Sequence, residues 1–236
     1  MTLRTDFHSH ILPDMDDGSR CAEDSLKMLR MEAEQGVTRV VATPHFYAHS
    51  DNPERFLAKR AQSFEMLREI MKEQTGMPEV AMGAEVYYFR GMSESEALSE
   101  LTLADSRAIL IEMPHAPWTP AMYRELEAIY AKRGLTPVVA HIDRYISPLR
   151  THGIPKRLEE LPVLVQANAE FFISLRTRCM ALKMLKEGQI HLLGSDCHDL
   201  TARKPNLGAA MRVIEKRFGT DALRRITEYE VTDVEV

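Results

Sequence analysis

The sequence predicts an α/β protein in which parallel strands close, or nearly close, into a β/α barrel. Three features of the 236 residues indicate this: short apolar runs alternate with helical patterns, seven strand candidates occur, and no Gly/Ser/Pro-rich linker divides them. Such alternation is typical of parallel strands joined by right-handed crossovers. An open doubly wound sheet is the alternative, although the glycine-rich fingerprint of a dinucleotide site is missing. We therefore expect one domain spanning residues 1–236.

The strand candidates are short runs rich in β-branched or apolar residues, and the first of them is the weakest. All have the length of ordinary strands in globular proteins. The seven candidates are Thr5–His8, Arg39–Ala42, Val80–Val86, Ala108–Glu112, Pro137–Ala140, Val163–Gln166 and Ile190–Leu193.

The helix candidates carry apolar residues at helical spacing, and each is followed directly by a glycine. Glycine after the last periodic residue is a common C-terminal signal, because it adopts the left-handed conformation that ends a helix. The predicted helices are Cys21–Gln35, Pro53–Thr75, Met122–Arg133, Met180–Glu187 and Leu207–Phe218.

Titratable residues collect where the predicted strands end. The C-terminal ends of barrel strands meet on one face, so residues far apart in sequence converge there. His8 and His10 are two residues apart, so both can point into the barrel and offer a pair of imidazole ligands. The nine candidate ligands are His8, His10, Asp17, His45, Glu85, Glu112, His141, Asp196 and His198.

Imidazole and carboxylate ligands together are typical of Zn, Mn, Fe or Co. One catalytic zinc takes about three protein ligands, so nine candidates indicate two or three divalent ions. Taken singly, each residue has a structural alternative, and the acidic run ending at Gly18 can be read as a turn. Glu85 and Glu112 differ, because a carboxylate at the end of an apolar strand is costly to bury without a partner. The set as a whole predicts a metal-dependent phosphoester hydrolase.

Two arginines and one cysteine follow these strand ends. Arg144 and Arg203 are candidates for binding a phosphoryl group, because a planar guanidinium group can donate two hydrogen bonds to phosphate oxygens. Cys197 and Arg203 have the Cys-x5-Arg spacing of cysteine-dependent phosphatases. The five residues between them include no glycine, and His198 serves better as a ligand, so we expect Cys197 to be packing and not a nucleophile.

Composition excludes several other classes of protein. The formal charge of −5 offers no basic face for nucleic acid, and no apolar run reaches the ~20 residues needed to span a bilayer. Three scattered cysteines argue against a disulfide framework, and the first residues lack a signal-peptide pattern. A cytoplasmic enzyme is expected, with a regulatory module that keeps a vestigial metal site as the non-enzymatic alternative.

Several motifs resemble a known family. They occur in the family's order across nearly the whole chain and open with Asp6-Phe7-His8-Ser9-His10. The others are Ala42-Thr43-Pro44-His45, Gly83-Ala84-Glu85, Leu110-Ile111-Glu112, Ala140-His141-Ile142-Asp143-Arg144 and Ser195-Asp196-Cys197-His198. Together they resemble the polymerase-and-histidinol-phosphatase (PHP) superfamily. Within it they are most similar to the bacterial manganese-dependent tyrosine phosphatases of capsular and exopolysaccharide synthesis.

The resemblance implies a distorted, seven-stranded, TIM-like barrel of the PHP type that holds three divalent ions. Manganese is favoured, with iron, zinc or cobalt as alternatives. It implies that Arg144 and Arg203 bind phosphate and act in catalysis. Carried onto this chain, the three ligand sets are His8, His10, Glu85 and Asp196; Glu85, Glu112 and His141; and Asp17, His45 and His198.

The implied substrate is a phosphotyrosine protein, namely a bacterial tyrosine kinase that regulates polysaccharide synthesis. The loop after the second strand departs from the family pattern, and Phe46 and Tyr47 are predicted to contact the substrate there. A histidinol phosphatase, or another small-molecule phosphoesterase of the superfamily, is the alternative. Oligomeric state is left open, including a homo-oligomer.

Overall fold

The computed structural model describes residues 3–146 and 153–228. Every strand pair in it is parallel, as the alternating pattern predicts. The strands are β1 Thr5–Ser9, β2 Arg39–Ala42, β3 His45–Phe46, β4 Glu79–Met82, β5 Glu85–Tyr87, β6 Ala108–Glu112, β7 Thr136–Val139, β8 Leu164–Asn168 and β9 Leu192–Gly194.

The strands pair as two sheets of order β1-β2-β4 and β3-β5-β6-β7-β8-β9. β3 follows β2 after a break at Thr43-Pro44, and the predicted strand Val80–Val86 is divided into β4 and β5 at Gly83-Ala84. Proline has no N–H to donate to a neighbouring strand, and glycine weakens a strand interior, so both breaks fall at residues that disfavour continuous pairing. The result is a mixed α/β fold with a curled parallel sheet. The finer prediction of one closed seven-stranded barrel is not confirmed.

β1 and β9 lie side by side at the edges of the curl. Ser9 and Cys197 form an isolated parallel bridge. The Asp196 N–H donates to the carbonyl of His8 over 2.8 Å, and the His10 N–H donates to that of Cys197 over 2.9 Å. These bonds hold the segment after β9 against the end of β1, where two candidate ligands lie.

All five predicted helices are present, with small differences at their ends. The longest ends at Met71 and not at Thr75, because the chain turns after Lys72. Three short helices, Ile154–Leu158, Ala169–Ile173 and Thr220–Thr227, have no counterpart among the predicted helices. The helices are α1 Ala22–Glu34, α2 Pro53–Met71, α3 Pro120–Arg133, α4 Ile154–Leu158, α5 Ala169–Ile173, α6 Arg178–Lys186, α7 Leu207–Phe218 and α8 Thr220–Thr227. Among these helices, none has the length and hydropathy to cross a bilayer.

The core has an inner and an outer layer, and β6 shows how the strands divide between them. Ala108 and Leu110 pack with apolar residues of the other strands inside the curl, whereas Ile109 and Ile111 pack in the cluster that includes the helices. All five residues of β6 are buried, which is typical of parallel sheets covered on both faces. Glu112 is the last residue of this apolar strand, and it lies at the end of the sheet where the titratable side chains meet.

Gly194 permits the close approach of β9 to β1. A Cβ there would lie 2.6 Å from His8 Cβ and 3.1 Å from the His8 backbone nitrogen. We expect Gly194→Ala to shift β1, to lower the free energy of unfolding by about 1–3 kcal/mol, and to weaken divalent-metal binding. Urea unfolding and metal titration measure the two effects. Gly188→Ala is the control: it strains a left-handed turn (φ +76°) where a Cβ would meet no other atom within 4 Å, so its stability loss should leave metal binding unchanged. Equal metal binding by the Gly194 variant and the wild type would contradict this account.

Candidate metal centre

His8 and His10 are held so that the same nitrogen of each ring faces one point. Both side chains are buried, and their Nε2 atoms lie 3.2 Å apart. Their outer Nδ1 atoms are engaged elsewhere: that of His8 lies 3.2 Å from Gln166 Oε1, and that of His10 lies 2.7 Å from Asp16 Oδ2. An acceptor on Nδ1 fixes the tautomer and leaves the Nε2 lone pair free for a cation.

Glu85 occupies the middle of the cluster and contacts four imidazoles. Its Oε2 lies 3.2 Å from His8 Nε2 and 3.3 Å from His10 Nε2. The same oxygen is 3.1 Å from His45 Nδ1, and Oε1 is 2.8 Å from His141 Nε2. The two oxygens of this carboxylate are therefore directed at different imidazoles.

A second group lies closer to solvent. Asp17 Oδ1 is 3.5 Å from both His45 Nε2 and His198 Nε2. The Nδ1 of His198 donates to the carbonyl of Asp196 over 2.9 Å, which again leaves Nε2 facing the cluster. The ring centroids of His10 and His198 are 3.8 Å apart, so this group adjoins the first one.

Glu112 and His141 form the third side of the cluster. Glu112 Oε1 lies 3.6 Å from His141 Nε2 and 3.4 Å from an Arg144 nitrogen. Burial and the charge of Glu85 raise the pKa of Glu112 to about 7. This carboxyl therefore requires a cation in addition to Arg144 to be fully ionised at neutral pH.

Asp196 connects the cluster to both arginines. Its carboxylate accepts hydrogen bonds from Arg144, from Arg203 over 2.8 Å and from Asn168 over 2.9 Å. Its Oδ1 lies 3.6 Å from the Nε2 atoms of His8 and His10. The two arginine side chains are 30% and 39% exposed, so they lie at the mouth of the site and not inside it.

The charges of the cluster are balanced by protons in the metal-free protein. Burial opposes the charged form of His10, but Asp16 and Glu85 outweigh it and raise its pKa to about 10. In the opposite direction, burial and the neighbouring His10 lower the pKa of His198 to about 4. Burial works against the ionised Asp196, yet His8, His10 and Arg144 hold its pKa well below the usual range. A divalent ion bound by the imidazoles would displace their protons, including that of His10.

The residues present fit divalent metal ions. Among the described residues, Glu85 Oε2, His45 Nδ1 and His198 Nε2 are buried without a hydrogen-bond partner. A mixed set of imidazole nitrogens and carboxylate oxygens is the donor set of Mn, Fe, Zn or Co. Three groups of candidate ligands at this site have ligand atoms within 4.8 Å of one another: His10, Asp17, His45 and His198; His8, His10 and Glu85; and His45, Glu85 and Glu112.

The structure brings together the nine residues singled out in the sequence as ligand candidates, and both arginines with them. Their binding to metal remains a prediction. The two aromatic candidates separate: Phe46 is buried against Phe56 in the core, whereas Tyr47 is half-buried beside His45 with ring centroids 5.3 Å apart.

Sequence reasoning missed the residues that orient the ligands. Asp16 belongs to the acidic run for which a turn is the structural alternative, yet its carboxylate contacts the His10 ring and accepts from the His45 N–H over 2.9 Å. Gln166 and Asn168 on β8 form a polar pair beneath His8 and Asp196. The sequence did contain a signal for this pair. Two amide side chains at positions i and i+2 of an otherwise apolar strand must face the same side of the sheet.

Cys197 and Asp6 lie behind the cluster. The Cys197 side chain is fully buried, and burial together with the charges of Glu32 and Asp6 raises the pKa of its thiol well above the usual range. A buried neutral thiol is inert, in agreement with the expectation that Cys197 is packing. Asp6 accepts hydrogen bonds from the His8 N–H, the Ser195 N–H and the Ser195 hydroxyl, so it joins β1 to the loop after β9.

The chain is similar in sequence to curated tyrosine-protein phosphatases. The chain is 32% identical to the tyrosine-protein phosphatase CpsB of Streptococcus pneumoniae, over 94% of this chain and 93% of the relative. It is 28% identical to the tyrosine-protein phosphatase YwqE of Bacillus subtilis, over 94% of this chain and 88% of the relative.

Solved structures of these relatives share the fold. A crystal structure from the work on YwqE of Bacillus subtilis and CpsB of Streptococcus pneumoniae, described as unique metal-dependent tyrosine phosphatases, superposes with a TM-score of 0.80. It is 24% identical and covers 93% of this chain and 89% of that one. Residues 4–234 match the family described as "Capsular polysaccharide synthesis, CpsB/CapC". The chain therefore belongs to the CpsB/CapC family.

Proposed function

We propose that this chain is a metal-dependent protein-tyrosine phosphatase. The observation that carries the proposal is the convergence of five imidazoles, four carboxylates and two arginines at one end of a parallel sheet. The activity named for its relatives supports it. The single domain covers residues 1–236, and its strands form a distorted, seven-stranded, TIM-like barrel. The Ser9–Cys197 bridge between the sheet edges supports this closure.

Three divalent ions, manganese in the first place, complete the site in this proposal. The contacts of Glu85 with four imidazoles support its sharing between two of the ions. Iron, zinc or cobalt would suit the same donors. The ligand sets are His8, His10, Glu85 and Asp196; Glu85, Glu112 and His141; and Asp17, His45 and His198.

The chemistry is hydrolysis of a phosphoric monoester. Divalent ions in such a cluster activate water and stabilise charge on the phosphoryl oxygens. Arg144 and Arg203 hold the non-bridging oxygens, because their partly exposed guanidinium groups already meet at Asp196 and face the mouth. The leaving phenolate of tyrosine has a pKa near 10, so it departs without a strong acid beside it.

Tyr47 and Tyr87 form an aromatic wall at the mouth of the site, and we assign substrate contact to this wall. Their ring centroids are 5.7 Å apart, and Tyr47 stacks on His45. An aromatic surface beside the metal ligands favours a phenyl ring over an alkyl chain as the group that carries the phosphate. Phe46 is not included, because it packs in the core.

The protein substrate in this proposal is an autophosphorylating tyrosine kinase of polysaccharide synthesis, and the location is the cytoplasm. The family's connection with capsular polysaccharide synthesis supports the first assignment. The formal charge of −5 supports the expectation that nucleic acid is not a partner. A homo-oligomer is compatible with this function and is not required by it.

Removal of metal tests the proposed function. Chelated and dialysed protein should lose phosphate release from a phosphotyrosine peptide, and added manganese should restore it, because the site cannot hold a phosphoryl group without its cations. Elemental analysis verifies that the metal has been removed. Full activity in verified metal-free protein would refute the proposal. Faster hydrolysis of histidinol phosphate than of the peptide would instead identify a small-molecule phosphatase.

Asp17 tests the outer ligand group. Its side chain is 65% exposed, so Asp17→Asn should leave folding intact while removing one anionic ligand. We expect manganese affinity, measured by calorimetry, to fall about tenfold or more, which corresponds to about 1.4 kcal/mol. Asp14→Asn is the matched control, because Asp14 is exposed in the same loop and lies outside the ligand groups. Equal affinity of the two variants would show that Asp17 does not bind metal.

Tyr47 tests the aromatic wall. Tyr47→Ala should lower kcat/KM for phenyl phosphate by about two- to tenfold, since one aromatic contact contributes about 0.5–1.5 kcal/mol. Hydrolysis of an alkyl phosphate should change little. Tyr47→Phe keeps the ring and should behave as the wild type. A parallel loss on both substrates would show that Tyr47 supports the site as a whole and does not select the aryl group.

A further inference from the structure

Glu32 is a charged residue type at a core position of α1. The buried face of this helix consists of Ser25, Met28, Leu29 and Glu32, which follow helical spacing. Glu32 is 0% exposed. Among the described residues, neither of its carboxyl oxygens has a hydrogen-bond partner. Every other acidic residue of α1 is placed where water can reach it, so this one requires an explanation.

The Glu32 carboxyl faces Asp6 and Cys197, behind the metal centre. One ligand-type atom from each of the three residues lies within 4.8 Å of the others. Asp6 in turn accepts from the His8 N–H over 3.1 Å and from the Ser195 N–H over 2.9 Å. Glu32 therefore lies against the carboxylate that joins the strand bearing His8 to the loop that follows β9.

Burying this carboxyl is costly for the fold. An unpaired polar group in an apolar environment destabilises the folded state, and a leucine would fill much of the same volume without that cost. Burial and the nearby Asp6 raise the pKa of Glu32 well above the usual range, because two ionised carboxylates side by side are unfavourable. Costly buried polar groups are expected mainly where function requires them.

We propose that Glu32 is a positioning residue: its carboxyl restrains Asp6, which holds β1 and the loop after β9 in register for metal binding. The restraint acts on His8 at one end and on Asp196 at the other, because Asp6 bonds to the backbone of His8 and of Ser195. The proposal rests on the metal centre of the proposed function. It does not depend on which phosphoester is hydrolysed.

The test compares two substitutions of similar volume. Glu32→Leu removes the polar group, and Glu32→Gln retains a polar side chain facing Asp6. For Glu32→Leu we expect the manganese dissociation constant to rise about tenfold or more, as for other residues that orient metal ligands. Its metal-free form should unfold at the same temperature as the wild type or higher, because a buried carboxyl has been removed. For Glu32→Gln we expect a dissociation constant within about threefold of the wild type.

Calorimetric titration with manganese and thermal unfolding of the chelated protein supply the readouts. The exposed Glu34 on the same helix provides the control, and Glu34→Leu should change neither. Wild-type manganese affinity in Glu32→Leu would overturn the proposal. So would equal losses in both Glu32 variants with a lower unfolding temperature, which would indicate a merely structural role.

Two further outcomes distinguish this proposal from a buried ion site and from the proposed function. A zinc ion retained by the purified wild type, and lost in both Glu32→Leu and Cys197→Ala, would overturn it in favour of a buried ion site. Manganese binding without phosphotyrosine hydrolysis in the wild type would count against the proposed function alone. The expected difference between Glu32→Leu and Glu32→Gln would then still support positioning by Glu32.

Discussion

The arrangement of the site depends on one buried anion, the carboxylate of Glu85. It is 1% exposed and lies within 3.3 Å of a nitrogen on each of four imidazoles. A carboxylate in that position is tolerated only where cations or protonated imidazoles surround it. The ligand rings are oriented accordingly: the outer nitrogens of His8 and His10 are bonded to fixed acceptors, so that their inner nitrogens face Glu85.

Much of this site could be predicted from the sequence, because parallel strands bring their C-terminal residues to one end of the sheet. Residues that follow successive parallel strands must meet at the same end of the sheet, even if the strand bounds are wrong by a residue or two. This is why Glu112 and His141, far from His8 in sequence, were identified without knowledge of any contact. The pair His8 and His10 needed only the two-residue period of a strand.

The remaining features depend on local geometry that a pattern does not contain. The break at Thr43-Pro44 begins a new two-residue strand, and its register decides that His45 faces the metal centre while Phe46 faces the core. The sequence analysis predicted that Phe46 and Tyr47 both contact the substrate, because the pattern does not show that these neighbours face opposite sides. Glu32 is hidden for a related reason, because a glutamate on a helix is normally solvated and only packing reveals that its face is buried.

Two of the ligand candidates adopt unusual backbone conformations. His141 and Asp196 both adopt positive φ values, +31° and +54°, which side-chain-bearing residues rarely do. Such conformations cost about 1–3 kcal/mol each and persist where surrounding contacts fix them. Here the contacts are the hydrogen bonds of Asp196 to Arg203 and Asn168 and the Asp6 bonds behind the loop. Strained ligand candidates, a buried central anion and a polar residue in a core position all lower stability, as expected of a site formed to bind metal ions. The apolar layers around the strands provide the stability that offsets this cost.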